Sequence, residues 1–334
     1  MIGAVTHFKS LLRTRQFWQD NGTVVVLVLF VFLATLVSGG VFIRPSNIAT
    51  ILYQASIIGV LVLGQALVVI AGGIDLSVVA ILILSAVVMG GAGSERQSMM
   101  MLGALPYIGF FPALLTGFGV AALAGFLNGL MITRLQIPAF ITTLATALLL
   151  GGIILLITGG SPIYYPDPFY QTFGETLILG LPAPVFVFAG LAVVFWWLLN
   201  QTSFGKKIYA IGGGERAAHY TGISVSGVRL LIYSLSGLSA GLAGFLFLAR
   251  SSYISYASGG ELLMTTIAAV VVGGVSLSGG VGGVKHAVAG VLLLASLSNF
   301  MNIMLISPFI QNSVNGFVIL IAVSIYSHIN ADQQ

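Results

Sequence analysis

The sequence predicts an all-α, polytopic integral membrane protein of about ten transmembrane helices with Gly-rich helix breaks, and three observations predict it. Of 334 residues, 58% are hydrophobic and only 6% charged, against about 25% charged in an ordinary soluble domain. Apolar stretches of about 20 residues recur, the length a helix needs to cross some 30 Å of hydrocarbon and too long for barrel strands. Glycine pairs interrupt the apolar runs at intervals, for example Gly72 with Gly73 and Gly273 with Gly274.

Taken in order, hydropathy places spans at Val24–Val41, Ile48–Ile70, Leu76–Gly91, Ile108–Ile132, Phe140–Thr158, Ala183–Leu199, Leu230–Ala249, Leu263–Val275, Ala287–Leu305 and Phe309–Ser327. Residues 1–22 are expected to be a cytoplasmic segment ending in a retained signal-anchor, because basic residues precede the first run without a small-residue cleavage site. The transmembrane domain then covers 23–328, and 329–334 form a cytoplasmic tail. With the N-terminus inside, Lys9, Arg13, Arg15, Arg134, Lys206, Lys207, Arg216, Arg229 and Lys285 fall on the inner side, and only Arg44, Arg96 and Arg250 fall outside. That split follows the positive-inside bias and explains the formal net charge of +4 without a nucleic-acid partner. It also places both termini on the cytoplasmic side.

Two connections are long. The outer one, 159–182, carries Asp167, Glu175, several prolines and five aromatics, and its prolines argue against one continuous helix. It reads either as an interfacial aromatic belt or as a docking surface or mouth for an external partner. The inner one, 200–229, is the most polar region, and Glu215–Tyr220 can form a short helix entered after three glycines and ended at Gly222. Its apolar residues, among them Ile208, Ile211, Ala217, Ala218 and Ile223, describe a surface that packs on something.

Aligning Val69 with Val270 superposes VIAGGIDLS on VVVGGVSLS. The two Gly-Gly and Leu-Ser pairs then match, which is either an internal repeat or the coincidence expected of common residues. Six spans between the copies would give them the same orientation, whereas an odd number would invert one, and hydropathy alone does not choose between the two. Asp75 is the one carboxylate inside the apolar scaffold, and leaving it in lipid would cost at least about 2.5 kcal/mol. It therefore faces a cavity, a partner or an interface. Gly72 and Gly73 weaken the helix before it, so Asp75 or Ser77 can cap the helix that restarts, with Ser276 and Ser278 in the corresponding places of the second copy. The rival role for Asp75 is proton or cation coupling, which Ser276 could not share.

The remaining intramembrane polar groups are neutral. Gln54, Gln65, Asn128, Thr143, Asn299, Asn302 and Asn315 are candidates to line a pathway for a hydroxylated, uncharged solute; singly, each serves equally as an interhelical hydrogen bond. Ala121, Gly125 and Gly129, and separately Gly237 and Gly241, recur every four residues and give two helices small faces for close packing. Enzyme signatures are missing. There is no cysteine, and His7, His219, His286 and His328 have no metal-ligand spacing. The stretch from Gly273 to His286 is as rich in glycine as a phosphate loop, but Lys285 follows Val284 and precedes His286 where a phosphate loop needs Gly-Lys-Ser/Thr.

Four segments carry a resemblance to a known family: GGIDLS at Gly72–Ser77, LQIPAFITTLATALLLGG from Leu135, TSFGKKIYAIGGGERAAHYTGI from Thr202, and IAAVVVGGVSLSGGVGG from Ile267. In that order they resemble the ribose-type permeases of bacterial ABC sugar importers, over roughly Asn47 to the last span. The resemblance implies a non-catalytic membrane subunit that binds no cofactor itself. ATP and Mg would be used by ABC ATPase subunits, a second permease copy, identical or paralogous, would complete the pathway, and a periplasmic binding protein would deliver the solute. Gly212, Gly213, Glu215, Arg216, Ala217, Ala218, Gly222 and Ile223 would form the ATPase-coupling loop. Gly214, Val79 and the run Leu263–Thr266 depart from the family pattern, so no particular sugar carries over. The expected function is import of a pentose or hexose by alternating access. A permease of the same superfamily for a nucleoside or signalling sugar is one alternative, and an ion-coupled secondary transporter is a second.

Overall fold

The computed structural model describes residues 15–95, 105–164, 167–251, 253–311, 313–318 and 320. The expected cytoplasmic segment up to residue 14, the tail 329–334 and the last span beyond residue 320 lie outside them. The helices are α1 (Arg15–Val37), α2 (Pro45–Ile70), α3 (Val78–Gly93), α4 (Phe110–Arg134), α5 (Ala139–Thr158), α6 (Pro168–Glu175), α7 (Ala183–Gln201), α8 (Ser203–Gly213), α9 (Glu215–Tyr220), α10 (Val225–Arg250), α11 (Gly259–Gly273) and α12 (Val284–Ile303). Residues 308–311 and 313–318 are also helical.

Among the described residues, six helices are long and apolar enough to cross a membrane: α2, α4, α5, α7, α10 and α12. Three shorter apolar helices, Asn21–Val37 within α1, α3 and α11, complete the bundle. The chain is thus an all-α polytopic membrane protein. Every residue of α3 is buried, as its all-round hydrophobicity requires. It is wrapped chiefly by α4, α10 and α5, while α2 packs on α10, α12 and α7. At 16 residues, α3 is only about 24 Å long. The missing length is the irregular stretch before it, which is tolerated at depth because protein encloses it.

The two small faces read from the sequence pack on each other. A Cβ on Gly125 would lie 2.3 Å from the Tyr233 carbonyl oxygen, and one on Gly237 would lie 2.4 Å from that of Ala121. Helices α4 and α10 therefore touch backbone to backbone.

The outer connection is a small structured cap. Asp167 accepts from the Phe169 amide at 2.8 Å and caps α6, with Pro168 in the first turn, where its missing N–H costs nothing. Strands β2 (Leu177–Ile178) and β3 (Leu181–Pro182) form a hairpin across Leu179 and Gly180, both at positive φ. Strand β1 (Ile163–Tyr164) pairs antiparallel with β4 (Tyr253–Ile254), which follows α10. Tyr170 and Phe173 pack on Phe245 of α10 at 5.7 and 5.1 Å between ring centroids.

Candidate functional site

The site starts from the end of α2. Gly72 takes φ 76°, its amide bonds to the Val69 carbonyl at 2.9 Å, and the Gly73 amide bonds to Val68 at 2.9 Å. This is the paired closure that a left-handed glycine allows at a helix C-terminus. Gly73 is required sterically, since a Cβ there would lie 2.7 Å from the Tyr233 hydroxyl, which donates to the Ile74 carbonyl at 3.2 Å.

Asp75 follows, fully buried. Its Oδ1 accepts from the Ser77 amide at 2.9 Å and the Ser77 hydroxyl at 2.6 Å, and its Oδ2 accepts from the Ser236 hydroxyl at 3.0 Å. No cation is paired with it among the described residues. Ser77 is the N-cap residue of α3 but makes no side-chain cap bond. The carboxylate instead holds a turn two residues back, bonding the amide that leads into the helix. Asn128 of α4 donates to the Ser77 hydroxyl at 2.7 Å and accepts from Thr146 of α5 at 2.6 Å. With its amide oriented to satisfy both neighbours, Gln65 of α2 donates to the Asp75 carbonyl at 3.1 Å and accepts from the Asp75 amide at 3.3 Å. The network ties α2, α4, α5 and α10 to the start of α3.

The break after α11 is built the same way. Gly274 has φ 97°, its amide bonds to Val271 at 2.9 Å, and the Val275 amide bonds to Val270 at 3.1 Å. Ser276, also buried, accepts from the Ser278 amide at 3.2 Å, as Asp75 does from Ser77. The left-handed glycine is the first of its pair in one copy and the second in the other. The second turn is therefore one residue shorter than matching the glycine pairs suggests.

The two breaks meet. The Gly280 amide donates to the Ile70 carbonyl, the last of α2, at 2.8 Å. Gly212, near the end of α8, lies against both: a Cβ there would sit 1.9 Å from the Ile70 oxygen and 2.4 Å from the Gly280 nitrogen. A Cβ on Gly279 would be 2.8 Å from the Gly212 oxygen and 3.0 Å from the Gly72 Cα. Tyr209 of α8 donates to the Gly282 carbonyl at 2.9 Å, and burial pushes its phenol above the usual tyrosine range. Helix α2 ends at this junction, and the loop that follows α11 runs through it.

Beside the junction lies a cavity of 710 Å³, bounded by Gly72 and Gly73, the α4–α5 link at Gln136–Ala139, α9 and the start of α10. Glu215 opens α9 and receives a bidentate bond from Arg229, both contacts 2.8 Å. Arg216 and His219 also line it, while Ala218 faces inward and is buried. Gly222, at φ 82°, closes α9 ahead of Ile223. Gly214 is extended at φ 166° and has room for a side chain. Val79 is an ordinary buried residue of α3.

The other polar residues singled out are dispersed. Thr143 bonds its own helix through the Ala139 carbonyl at 2.8 Å. Asn299 exchanges two amide bonds with Asn47, at 3.0 and 2.9 Å, which pins α12 to α2. Gln54 and Asn315 are half-buried, and Asn302 is exposed and bonded to Gln311 at 2.9 Å. Sequence reasoning missed Ser236, Tyr233, Tyr209, Asn47, Gly279 and Gly280. For the last two, the glycine-rich stretch preceding Lys285 was the available signal.

A bundle of apolar helices with paired Gly-rich breaks and α8 seated on them is that of a polytopic membrane protein. The chain belongs to the permease-component family described as the branched-chain amino acid transport system, whose model matches residues 47–323, and within it to the ribose-type permeases of ABC importers. It is 39% identical over 307 residues to the ribose import permease protein RbsC of Bacillus subtilis (strain 168), covering 91% of this chain and 92% of the relative. It is 34% identical over 318 residues to the L-arabinose transport system permease protein AraH of Escherichia coli (strain K12), covering 94% and 92%. It is 31% identical over 309 residues to the D-allose transport system permease protein AlsC of the same strain, covering 92% of each. No solved structure matches the chain.

Proposed function

We propose that this chain is the membrane-spanning subunit of a binding-protein-dependent importer that carries a monosaccharide, pentose or hexose, across the bacterial inner membrane. The relatives named for ribose, arabinose and allose support the solute class. ATP with Mg is hydrolysed on partner ATPase subunits, and the chain itself performs no catalysis and holds no cofactor. A second permease copy shares the pathway, and a periplasmic binding protein loads it from the side of the α6 cap.

The observation that carries the mechanism is the seat of Gly212 between the Ile70 carbonyl and the Gly280 amide. When the ATPase pair closes, it pushes on α9. That element is joined through Gly213 and Gly214 to α8, and α8 touches the end of α2 and the loop that follows α11 at one point. Displacement there reorients α2 and α11 together, which is the rocking that alternating access needs. Asp75 acts in this scheme as the fixed turn that keeps α3 in register with α2 while the junction moves.

Reversing charge at Glu215 tests the reading. In proteoliposomes with the ATPase and binding protein, Glu215→Arg breaks the pair with Arg229 and repels it. Solute-stimulated hydrolysis and uptake should separate, with basal hydrolysis retained. Unaltered solute-stimulated hydrolysis with unaltered uptake would overturn the assignment of α9 as the coupling element.

A further inference from the structure

On the outside of the bundle, at the same end as the glycine junction, α1, α7 and α12 enclose a groove of 430 Å³. Its walls are Val24 and Leu27 of α1, Val193 and Trp196 of α7, and Val288 and Leu292 of α12. These are apolar side chains on three membrane helices, so hydrocarbon is the medium that covers them. The volume falls within the roughly 300–1,000 Å³ of ordinary ligand clefts.

One end of the groove is different. Lys285 is the sole titratable residue of its lining, is exposed, and donates to Asn21, a neutral acceptor on α1. It stands in the first turn of α12, where a cation opposes the helix dipole, so the stability of α12 does not account for it. Inner-side charge bias explains the sign of the residue but not its position at the mouth of an apolar groove. Trp196, half exposed on the opposite wall, is the residue type that sits at headgroup depth. After Thr202, α7 is followed by α8, which brings exposed Lys206 and Lys207 to the same end of the bundle.

From this arrangement we infer that the groove holds an anionic glycerophospholipid of the leaflet on the α8 side, an acyl chain lying between α1, α7 and α12 and the phosphate at Lys285. A basic end on an apolar groove between membrane helices is the chemistry that selects an anionic over a zwitterionic headgroup. The bound lipid would brace α1 against α12, which α1 otherwise reaches through Asn21 on Lys285 and Phe30 on Phe300. The inference stands apart from the transport reading and concerns lipid only.

The test is native mass spectrometry of the intact chain released from vesicles of equal parts phosphatidylglycerol and phosphatidylethanolamine. The wild type should retain phosphatidylglycerol preferentially. Lys285→Gln should lower that retention about fivefold, the effect of one lysine at an anionic headgroup, and leave phosphatidylethanolamine unchanged. Lys285→Arg should keep the preference, and Val288→Trp, which fills the groove, should abolish it in a chain whose thermal unfolding is normal. Equal retention of the two lipids by the wild type would overturn the inference. So would a preference unaffected by both Lys285→Gln and Val288→Trp. Loss of a dimer rather than of lipid in Val288→Trp would assign the groove to a second copy of the chain and overturn it as well.

Discussion

Two adjacent glycines of α8 make a matched pair of perturbations. A Cβ on Gly213 meets nothing within 4 Å, whereas one on Gly212 would fall 1.9 Å from the Ile70 oxygen and 2.4 Å from the Gly280 nitrogen. Both neighbours are backbone and cannot rotate away. Ordinary contact begins near 3.4 Å, so Gly212→Ala forces the α8 end and the α2 end apart by about 1.5 Å. Overpacking of this kind costs about 1–3 kcal/mol, and losing the Gly280–Ile70 hydrogen bond adds about 1 kcal/mol. Helix propensity returns at most about 1 kcal/mol in either variant. Gly213→Ala should therefore be neutral or slightly stabilising, and Gly212→Ala should be destabilising by roughly 1–3 kcal/mol. Thermal unfolding in detergent reads the stability, and uptake per ATP hydrolysed in reconstituted vesicles reads the coupling. Gly212→Ala should lower both while Gly213→Ala lowers neither. If the two variants behave alike, the junction does not transmit force and the reasoning fails.

Other outcomes follow from the same geometry. Asp75→Asn keeps an oxygen for the Ser77 amide, and the Ser236 hydroxyl can turn to accept, so uptake should stay within about threefold of wild type; Asp75→Ala strands three buried donors and should cost at least about 3 kcal/mol in unfolding experiments. Abolished uptake in a well-folded Asp75→Asn protein would assign the charge itself a role. Tyr209→Phe removes the bond to Gly282 and should cost about 1 kcal/mol. Because burial raises the folded-state pKa of Tyr209 above its unfolded value, its contribution is fully present below pH about 10 and is lost as pH rises through the folded pKa. The wild-type minus Tyr209→Phe stability difference should thus be flat between pH 6 and 9. Asn47→Ala and Asn299→Ala should each destabilise the protein, and the double variant should cost little more than either, with the solute KM unchanged in all three.

Much of the bundle was legible because hydropathy reads burial and length directly. The spans at Phe140–Thr158 and Ala183–Leu199 differ from α5 and α7 by one or two residues. The shape of the outer loop was less legible. Its prolines announced interruption, but the pairing of Ile163–Tyr164 with Tyr253–Ile254 joins segments some ninety residues apart and leaves no local pattern. Helix α8 escaped for a different reason. Its SFGKKIYAIGG sequence holds two lysines and three glycines, which hide the helix, although Ile208 and Ile211, expected to pack on something, do bury one face.

At the site, residue type was readable but direction was not. Asp75 was recognised as needing partners, yet nothing local tells that Asn128, Gln65 and Ser236 supply and extend them, or that Asn299 turns to Asn47 instead of toward a solute. The glycine junction is a tertiary object. Gly72, Gly212 and Gly279 come together from three segments, and only their proximity distinguishes them from the many other glycines. The one-residue difference between the two breaks was hidden by matching the glycine pairs by identity, because it lies in which glycine of each pair takes positive φ.

The measurement that bears most directly on the central claim is solute uptake into proteoliposomes containing this chain with its ATPase and binding protein. The account predicts accumulation of a labelled monosaccharide that requires ATP and both partners, and none by the chain alone under a proton or sodium gradient. Accumulation by the chain alone, driven by an ion gradient and lost in Asp75→Asn, would contradict it.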